Sequence, residues 1–261
     1  MKKFDPKKYW EKRLSENFNL NGVGFCGMGN TYNKWFYKIR AYIFKKYTKK
    51  IINNVNSVLD IGSGTGFYID LWKKKRIKRI VGCDITDTAV SNLKIKYPES
   101  SFFRIDISGN ITGFGEQKFD FITAFDMLFH IVDDEKYNKA INNISKLLTK
   151  DGFFIFSDVF LHSESKCLEH YVARSKKEIE EVIRKHGFEI IKRRPVFFFM
   201  HTPIDTHNKF IHWVWKMQNK IIHRGYKWAN LLGFLIYPIE IIMINLFKEG
   251  PSTEIMICRK K

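Results

Sequence analysis

Acidic residues are scarce: 27 Asp and Glu stand against 45 Lys and Arg, a formal charge of +18 on 261 residues. That deficit excludes a charge-balanced surface and makes the chain a general attractor of anions. Nucleic acid, anionic lipid headgroups and phosphorylated small molecules all qualify, and the charge alone does not choose among them. Part of the excess sits in short runs such as KKKRIKR (73 to 79), which also read as a solvated helix end. Cysteine is scarce too. Cys26, Cys83, Cys167 and Cys258 form no CxxC pair and no histidine stands at ligand spacing, so neither a disulfide framework nor a zinc site is expected, and no metal is implied. A reducing, cytoplasmic setting fits this usage. The opening stretch MKKFDPKKYWEKR is basic but lacks an apolar core, so it does not read as a secretory signal. Apolar residues are not lacking. At 44% hydrophobic with 24 Phe, the composition is that of a globular chain with a substantial core.

Residues 1–54 are read as an N-terminal helical cover, interrupted by the Gly-rich NGVGFCGMGN (21 to 30). From Ser57 onward apolar runs alternate with helix-length segments, the rhythm of a parallel sheet covered on both faces. Strands are expected at 57–61, 79–84, 101–106, 119–125 and 153–158, and helices near 66–75, 86–97, 134–149 and 175–186. The helix over 134–149 stops at Lys150-Asp151-Gly152, taken as a turn. The core spans 55–202, an apolar helical insertion 203–249, and the last core strand 250–261, where STEIMICRK alternates as a strand should. The insertion holds a stretch, Trp228 to Phe247, long enough to cross a bilayer. Asn230, Pro238, Glu240 and Asn245 interrupt it, and a span would separate the last strand from its sheet. A buried lid, a peripheral membrane contact and a true span are the readings left open.

The run VLDIGSGTGF carries the strongest chemical signal. A strand ends in Asp60, and Gly62, Ser63, Gly64 and Gly66 form a loop whose backbone can approach a ligand closely before a helix begins. Dinucleotide sites use related loops, but the spacing here is GxGxG, and an acid stands directly before it. The pattern resembles the first motif of class I S-adenosylmethionine-dependent methyltransferases, and the resemblance extends over about residues 55 to 160. It implies an α/β Rossmann-like fold with a seven-stranded, mostly parallel sheet of order 3-2-1-4-5-7-6, the last strand antiparallel, with N-terminal helices and a helical insertion before that strand. It also implies S-adenosylmethionine as cofactor. Asp60 matches the acid that orients the cofactor's amino acid moiety, Asp84 the acid that accepts the ribose hydroxyls, and Ile85 the residue that packs on adenine. Asp106, with Ile107, matches the partner of the adenine amine, and Phe125 lies in the fourth motif. Taken singly, Asp84 and Asp106 read equally well as helix N-caps.

On the acceptor side, His130 lies four residues beyond Asp126 and is the best-placed general base, because imidazole titrates near neutrality. It reads equally as a histidine satisfying a loop carbonyl. Tyr32, Arg40, Asp126, His162 and Arg174 are candidate acceptor-pocket residues, and Tyr9, Trp10, Asn33 and Tyr37 suggest a cover. Aromatics at helical spacing also read as core. Amino-methylating nucleic-acid enzymes of this family carry Asn or Asp followed by Pro-Pro-aromatic after the fourth strand, where this chain has FDMLFH, so a nucleic-acid partner is not expected. What remains resembles the broad group of bacterial small-molecule and glycan-type methyltransferases. A small-molecule or lipid-linked acceptor, such as a sugar hydroxyl, is the expected partner. An RNA-directed enzyme or a non-catalytic cofactor-binding protein using the basic surface is the alternative.

Overall fold

The apolar runs become the interior of a twisted sheet in the computed structural model, which describes residues 4–52, 55–168 and 170–261. The outermost residues of the expected cover, 1–3 and 53–54, lie outside the described residues. In chain order the strands are β1 (Ser57–Ile61), β2 (Arg79–Asp84), β3 (Ser101–Arg104), β4 (Phe119–Ala124), β5 (Leu148–Asp158), β6 (Lys166–Leu168), β7 (Tyr171–Ala173), β8 (Phe188–Pro195) and β9 (Glu254–Lys260). Among the described residues seven of them form one sheet of order β3-β2-β1-β4-β5-β9-β8, while β6 and β7 pair only with each other. With that hairpin set aside, the order is the expected 3-2-1-4-5-7-6, and β9 runs antiparallel to both β5 and β8. Strands buried on both faces need apolar side chains pointing both ways. Val58 accordingly faces one core, with Phe121 and Ile257, while Leu59 and Ile61 face the other, with Ile122, Phe154 and Met256.

The helices are α1 (Pro6–Glu16), α2 (Leu20–Val23), α3 (Gly29–Thr48), α4 (Phe67–Lys73), α5 (Asp87–Lys96), α6 (Asp134–Leu147), α7 (Lys176–Lys185), α8 (Lys209–Ile222) and α9 (Tyr226–Leu246). α6 and α7 close one face through Tyr137, Ile141, Ile144, Ile179 and Ile183. α3, α4, α5 and the inner sides of α8 and α9 close the other. The start of α7 is set by a capping box, Ser175 and Glu178 satisfying each other's backbone N–H groups.

Three expectations are corrected. β3 ends at Arg104, so Asp106 belongs to the following loop rather than to the strand. The turn expected at Lys150-Asp151-Gly152 lies inside β5, where a shift in register against β4 absorbs Asp151 at φ +63°, and α6 stops earlier, at Leu147. The segment 203–249 is not a buried lid. Only 22% of the apolar window of α9 is buried, where the helix meets α3, α8 and the 198–200 segment.

Candidate functional site

The loop after β1 is shaped by its own backbone. The N–H groups of Gly62 and Ser63 both donate to the Cys83 carbonyl, at 2.8 and 3.1 Å, which ties the loop to the end of β2. Gly62 and Gly64 adopt φ +72° and +50°. A Cβ on either would press Met127 at 3.0 Å or Val23 at 2.9 Å, so glycine is required on both counts. Asp84 completes the cradle. Its Oδ2 accepts the Gly64 N–H at 3.0 Å, and its Oδ1 accepts the Thr86 N–H and hydroxyl at 3.0 and 2.8 Å. The N-cap of α5 is Thr86, so the capping role weighed for Asp84 falls to its neighbour. Asp106 accepts from the Ser108 N–H and hydroxyl at 2.9 and 2.6 Å, and the next element is only a short 3₁₀ turn at Thr112–Phe114, not a helix to be capped.

Above this cradle opens a cavity of about 340 Å³, within the range of small-molecule and cofactor sites. Gly62, Ser63, Gly64, Asp84, Ile85, Asp106, Ile107, Phe125, Asp126 and His130 all line it. Asp60 lies beneath the loop. Its Oδ1 accepts the Thr123 hydroxyl at 2.7 Å, while its buried Oδ2 has no partner among the described residues. Burial pushes this carboxyl up to about 7, against the hydrogen bond from Thr123. Asp84 is likewise raised by burial, with the Gly64 N–H opposing.

The roof of the cavity is α1, which contributes Trp10 and Leu14. A carboxylate fastens it: Glu11 accepts the N–H groups of Asp87 and Thr88 at 2.7 and 3.0 Å, at the N-terminus of α5. That end of a helix offers unpaired donors and a positive dipole.

At the carboxyl end of β4 the chain turns through Asp126 at φ +54°, a left-handed conformation held by three contacts. The Asp126 N–H donates to Ser157 Oγ at 2.7 Å, Ser157 donates to Oδ1 at 3.0 Å, and Arg40 Nε donates to Oδ2 at 2.5 Å. Burial alone would lower the Arg40 pKa, but Asp126 together with Tyr37 and Tyr68 outweighs it and holds the guanidinium charged. The Arg40 Nη1 has no partner among the described residues. His130 follows in a short 3₁₀ turn, its ring edge-on to Trp10 with centroids 4.9 Å apart and its Nδ1 2.8 Å from the His170 carbonyl. Burial lowers its pKa to about 4, so the imidazole is neutral at pH 7. A carbonyl can only accept. The Nδ1 therefore carries the hydrogen, and Nε2 keeps a basic lone pair.

Of the five acceptor-pocket candidates only Asp126 lines the cavity; Arg40 stands behind it, and the other three lie elsewhere. Tyr32 is buried and donates to Gln218 at 2.8 Å, tying α3 to α8. His162 pairs with Asp205 and Glu249 at 2.5 and 3.0 Å on the surface. Arg174 binds Asp134 and the Ile131 carbonyl at 2.8 and 2.7 Å and covers the Tyr137 ring, so it is a brace for the turn before α6. Gly66 starts α4 just beyond the cavity. Sequence reading passed over Tyr68, Met127 and Lys136, all cavity-lining. Tyr68 stacks on Phe125 at 4.2 Å, and its place two residues past the glycine loop was the available signal. No cluster of His, Cys, Asp or Glu fit for a metal occurs among the described residues.

Residues 59–156 match the family model described as a methyltransferase domain. The chain is 23% identical over 212 residues to the carboxy-S-adenosyl-L-methionine synthase of Nautilia profundicola, covering 77% of this chain and 86% of that protein. It is 26% identical over 148 residues to the ribosomal protein L11 methyltransferase of Staphylococcus saprophyticus, covering 56% of this chain and 42% of that protein's length. The N-methyltransferase NodS of Bradyrhizobium japonicum, solved with S-adenosyl-L-homocysteine, shares the fold with a TM-score of 0.58 at 14% identity, over 98% of this chain and 99% of NodS. S-adenosylmethionine fits the residues present. The cavity is large enough, the glycine loop and Asp84 line it, and the unpartnered Asp60 oxygen lies under the loop. Residues 59–156 are thus a methyltransferase domain with its glycine loop in place, similar to those of class I S-adenosylmethionine-dependent methyltransferases, and S-adenosylmethionine is its cofactor.

Proposed function

We propose that the chain transfers a methyl group from S-adenosylmethionine to a small or lipid-linked acceptor, a sugar hydroxyl or a similar group. One observation carries the reading: His130 and Asp126, at the end of β4, line the same cavity as the glycine loop, Asp84 and Asp106. The cofactor supplies a methyl group on a sulfonium, open to in-line displacement, so holding donor and acceptor in line provides most of the rate. Asp84 receives hydroxyl donors, Ile85 and Ile107 present apolar walls, and α1 excludes water through Trp10 and Leu14. His130 Nε2 takes the proton of an acceptor hydroxyl. The choice of a lipid-linked acceptor is supported by the large exposed apolar face of α8 and α9.

Calorimetry with S-adenosylmethionine and S-adenosylhomocysteine, with NAD as control, tests the first half. Micromolar binding of both is expected, weakened at least about a hundredfold by Asp84→Ala, because a buried carboxylate with two hydrogen-bond partners is lost. Binding of NAD instead would overturn the reading. The acceptor class is tested by following labelled methyl into organic and aqueous extracts of cells incubated with the enzyme. Label confined to water-soluble products would remove the lipid-linked part.

A further inference from the structure

We propose that α8 and α9 form a monotopic docking surface for an anionic lipid bilayer, lying in the plane of the interface rather than crossing it. The inference rests on the lipid-linked reading of the acceptor for its purpose, but its geometry stands apart from the reaction. On α9, Trp228, Leu231, Leu235, Ile239, Ile242 and Leu246 follow one another at three- and four-residue steps, and each is 49 to 70% exposed. That spacing is a single stripe along a helix. Between Lys227 and Lys248 the only charged residue is Glu240, and it is fully buried. α8 repeats the pattern on a smaller scale, with Phe210, Trp213 and Met217 exposed. A water-exposed apolar face of this extent marks a docking site, not an ordinary surface.

Charge selects the occupant. From Thr206 to Ile239 there is no acidic residue, while Lys209, Lys216, Lys220, Arg224 and Lys227 are all exposed. On α3, against which α9 packs, Lys34, Lys38 and Lys45 fall on one line of the helix, which the C-cap residue Lys49 extends, and all four are exposed. The apolar stripe is thus bordered by cations on both flanking helices. An apolar face with a lysine border, carrying Trp at two positions, suits acyl chains below and anionic headgroups above. A second copy of this chain would bring the same positive border against itself.

The docking of α9 also argues against a span. Gly233 lies so close to Trp35 that an added Cβ would sit 2.2 Å from the indole, and Trp35 donates to Asn230 at 3.1 Å. The Glu240 carboxylate accepts the N–H groups of Phe198, Phe199 and Met200 at 2.6 to 3.3 Å. The chain then returns directly to β9, inside the sheet. Crossing a bilayer would break all of these.

The test is flotation of the full chain with vesicles of phosphatidylcholine alone or with about a quarter phosphatidylserine, with S-adenosylhomocysteine affinity measured in parallel. Binding is expected to the anionic vesicles, to weaken as salt rises, and to be released at alkaline pH as peripheral proteins are. Lys216→Gln, Lys220→Gln and Lys227→Gln should each weaken it roughly fivefold, and the double variant Leu235→Glu/Ile242→Glu at least about tenfold. None of these residues lines the cavity, so cofactor affinity should stay unchanged and certify the fold. Equal binding to neutral vesicles, no binding to either, resistance to alkaline extraction, or a dimer of the free chain that Leu235→Glu dissociates would each overturn the proposal. Loss of vesicle binding with cofactor binding intact leaves the methyl-transfer reading standing. The converse leaves the docking surface standing.

Discussion

Burial gives His130 its character. Its proton is disfavoured by the surrounding apolar groups, which lowers the pKa to about 4, and the His170 carbonyl fixes which nitrogen keeps the hydrogen. A base of this kind is fully neutral at any pH above about 5.5, so the pH profile of methyl transfer should be flat from pH 6 to 9 and fall only toward pH 4. His130→Gln should lower kcat by on the order of 10²–10⁴-fold while leaving the dissociation constant for S-adenosylhomocysteine within a few-fold. Initial rates across pH, paired with calorimetry, check both. Linkage runs the same way: the unfolded imidazole, with a pKa near 6.5, binds its proton more readily than the folded one. His130 therefore withdraws stability as pH falls from about 6.5 to about 4. An unchanged kcat in the variant would restrict His130 to bracing the loop. At this scale Asp84, at the end of β2, and Asp106, in the loop after β3, line the same cavity, a proximity that the strand pattern anticipates. Tyr32, His162 and Arg174 were not separable by residue type. Direction decided their roles, and direction depends on which neighbour, Gln218, Asp205 or Asp134, is nearest in space.

Helices α1 and α9 were both visible as amphipathic or apolar segments, and their assignments divided for a physical reason. N-terminal aromatics suggest a cover over residues 1–54; of them Trp10 and Tyr37 line the cavity, and α1 is held by Glu11 on the donors at the start of α5. The segment 203–249 was weighed as a lid, yet none of its residues is among the described residues lining the cavity. Hydropathy marks a face as apolar without saying what it meets, and for α9 the inner surface is Trp35 and Tyr42 of α3, the 198–200 segment and α8. The Glu11 contact gives a direct prediction about the roof. Glu11→Ala removes an anion that caps two N–H groups, a contribution of about 0.5–2 kcal/mol. Opening of α1 becomes easier by that amount, so affinity for S-adenosylhomocysteine should fall about twofold to thirtyfold. Hydrogen exchange should report faster exchange across residues 6–16 without ligand and restored protection with it. Unchanged exchange in the variant would show that Trp10 and Leu14 alone hold the roof.

Across the whole molecule, the cavity joins parts that the sequence keeps far apart: the roof helix, the ends of β1, β2 and β4, and the residues leading into α6. The alternating apolar runs make a parallel sheet legible, with a carboxyl edge that gathers those loops, whereas the strand order came only from the family resemblance. The extra hairpin β6–β7 was not legible, since its strands are three residues each and carry no periodicity. A ligand that touches all these parts binds only the folded chain, and mass action converts its affinity into stability. At a hundred times its dissociation constant, S-adenosylhomocysteine should add about 2.7 kcal/mol. For a domain of this size each kcal/mol moves the melting midpoint by about 2–4 °C, so a rise of about 5–10 °C is expected. NAD at the same concentration should leave the midpoint unmoved, because the GxGxG loop and Asp84 match the other cofactor. In Asp84→Ala the S-adenosylhomocysteine shift should vanish while the unliganded protein still melts cooperatively. Scanning calorimetry on the three combinations reads the outcome directly: a shift with NAD equal to that with S-adenosylhomocysteine would mean that the cavity recognises only the adenosine half common to both, and that the methionine end contributes nothing to binding.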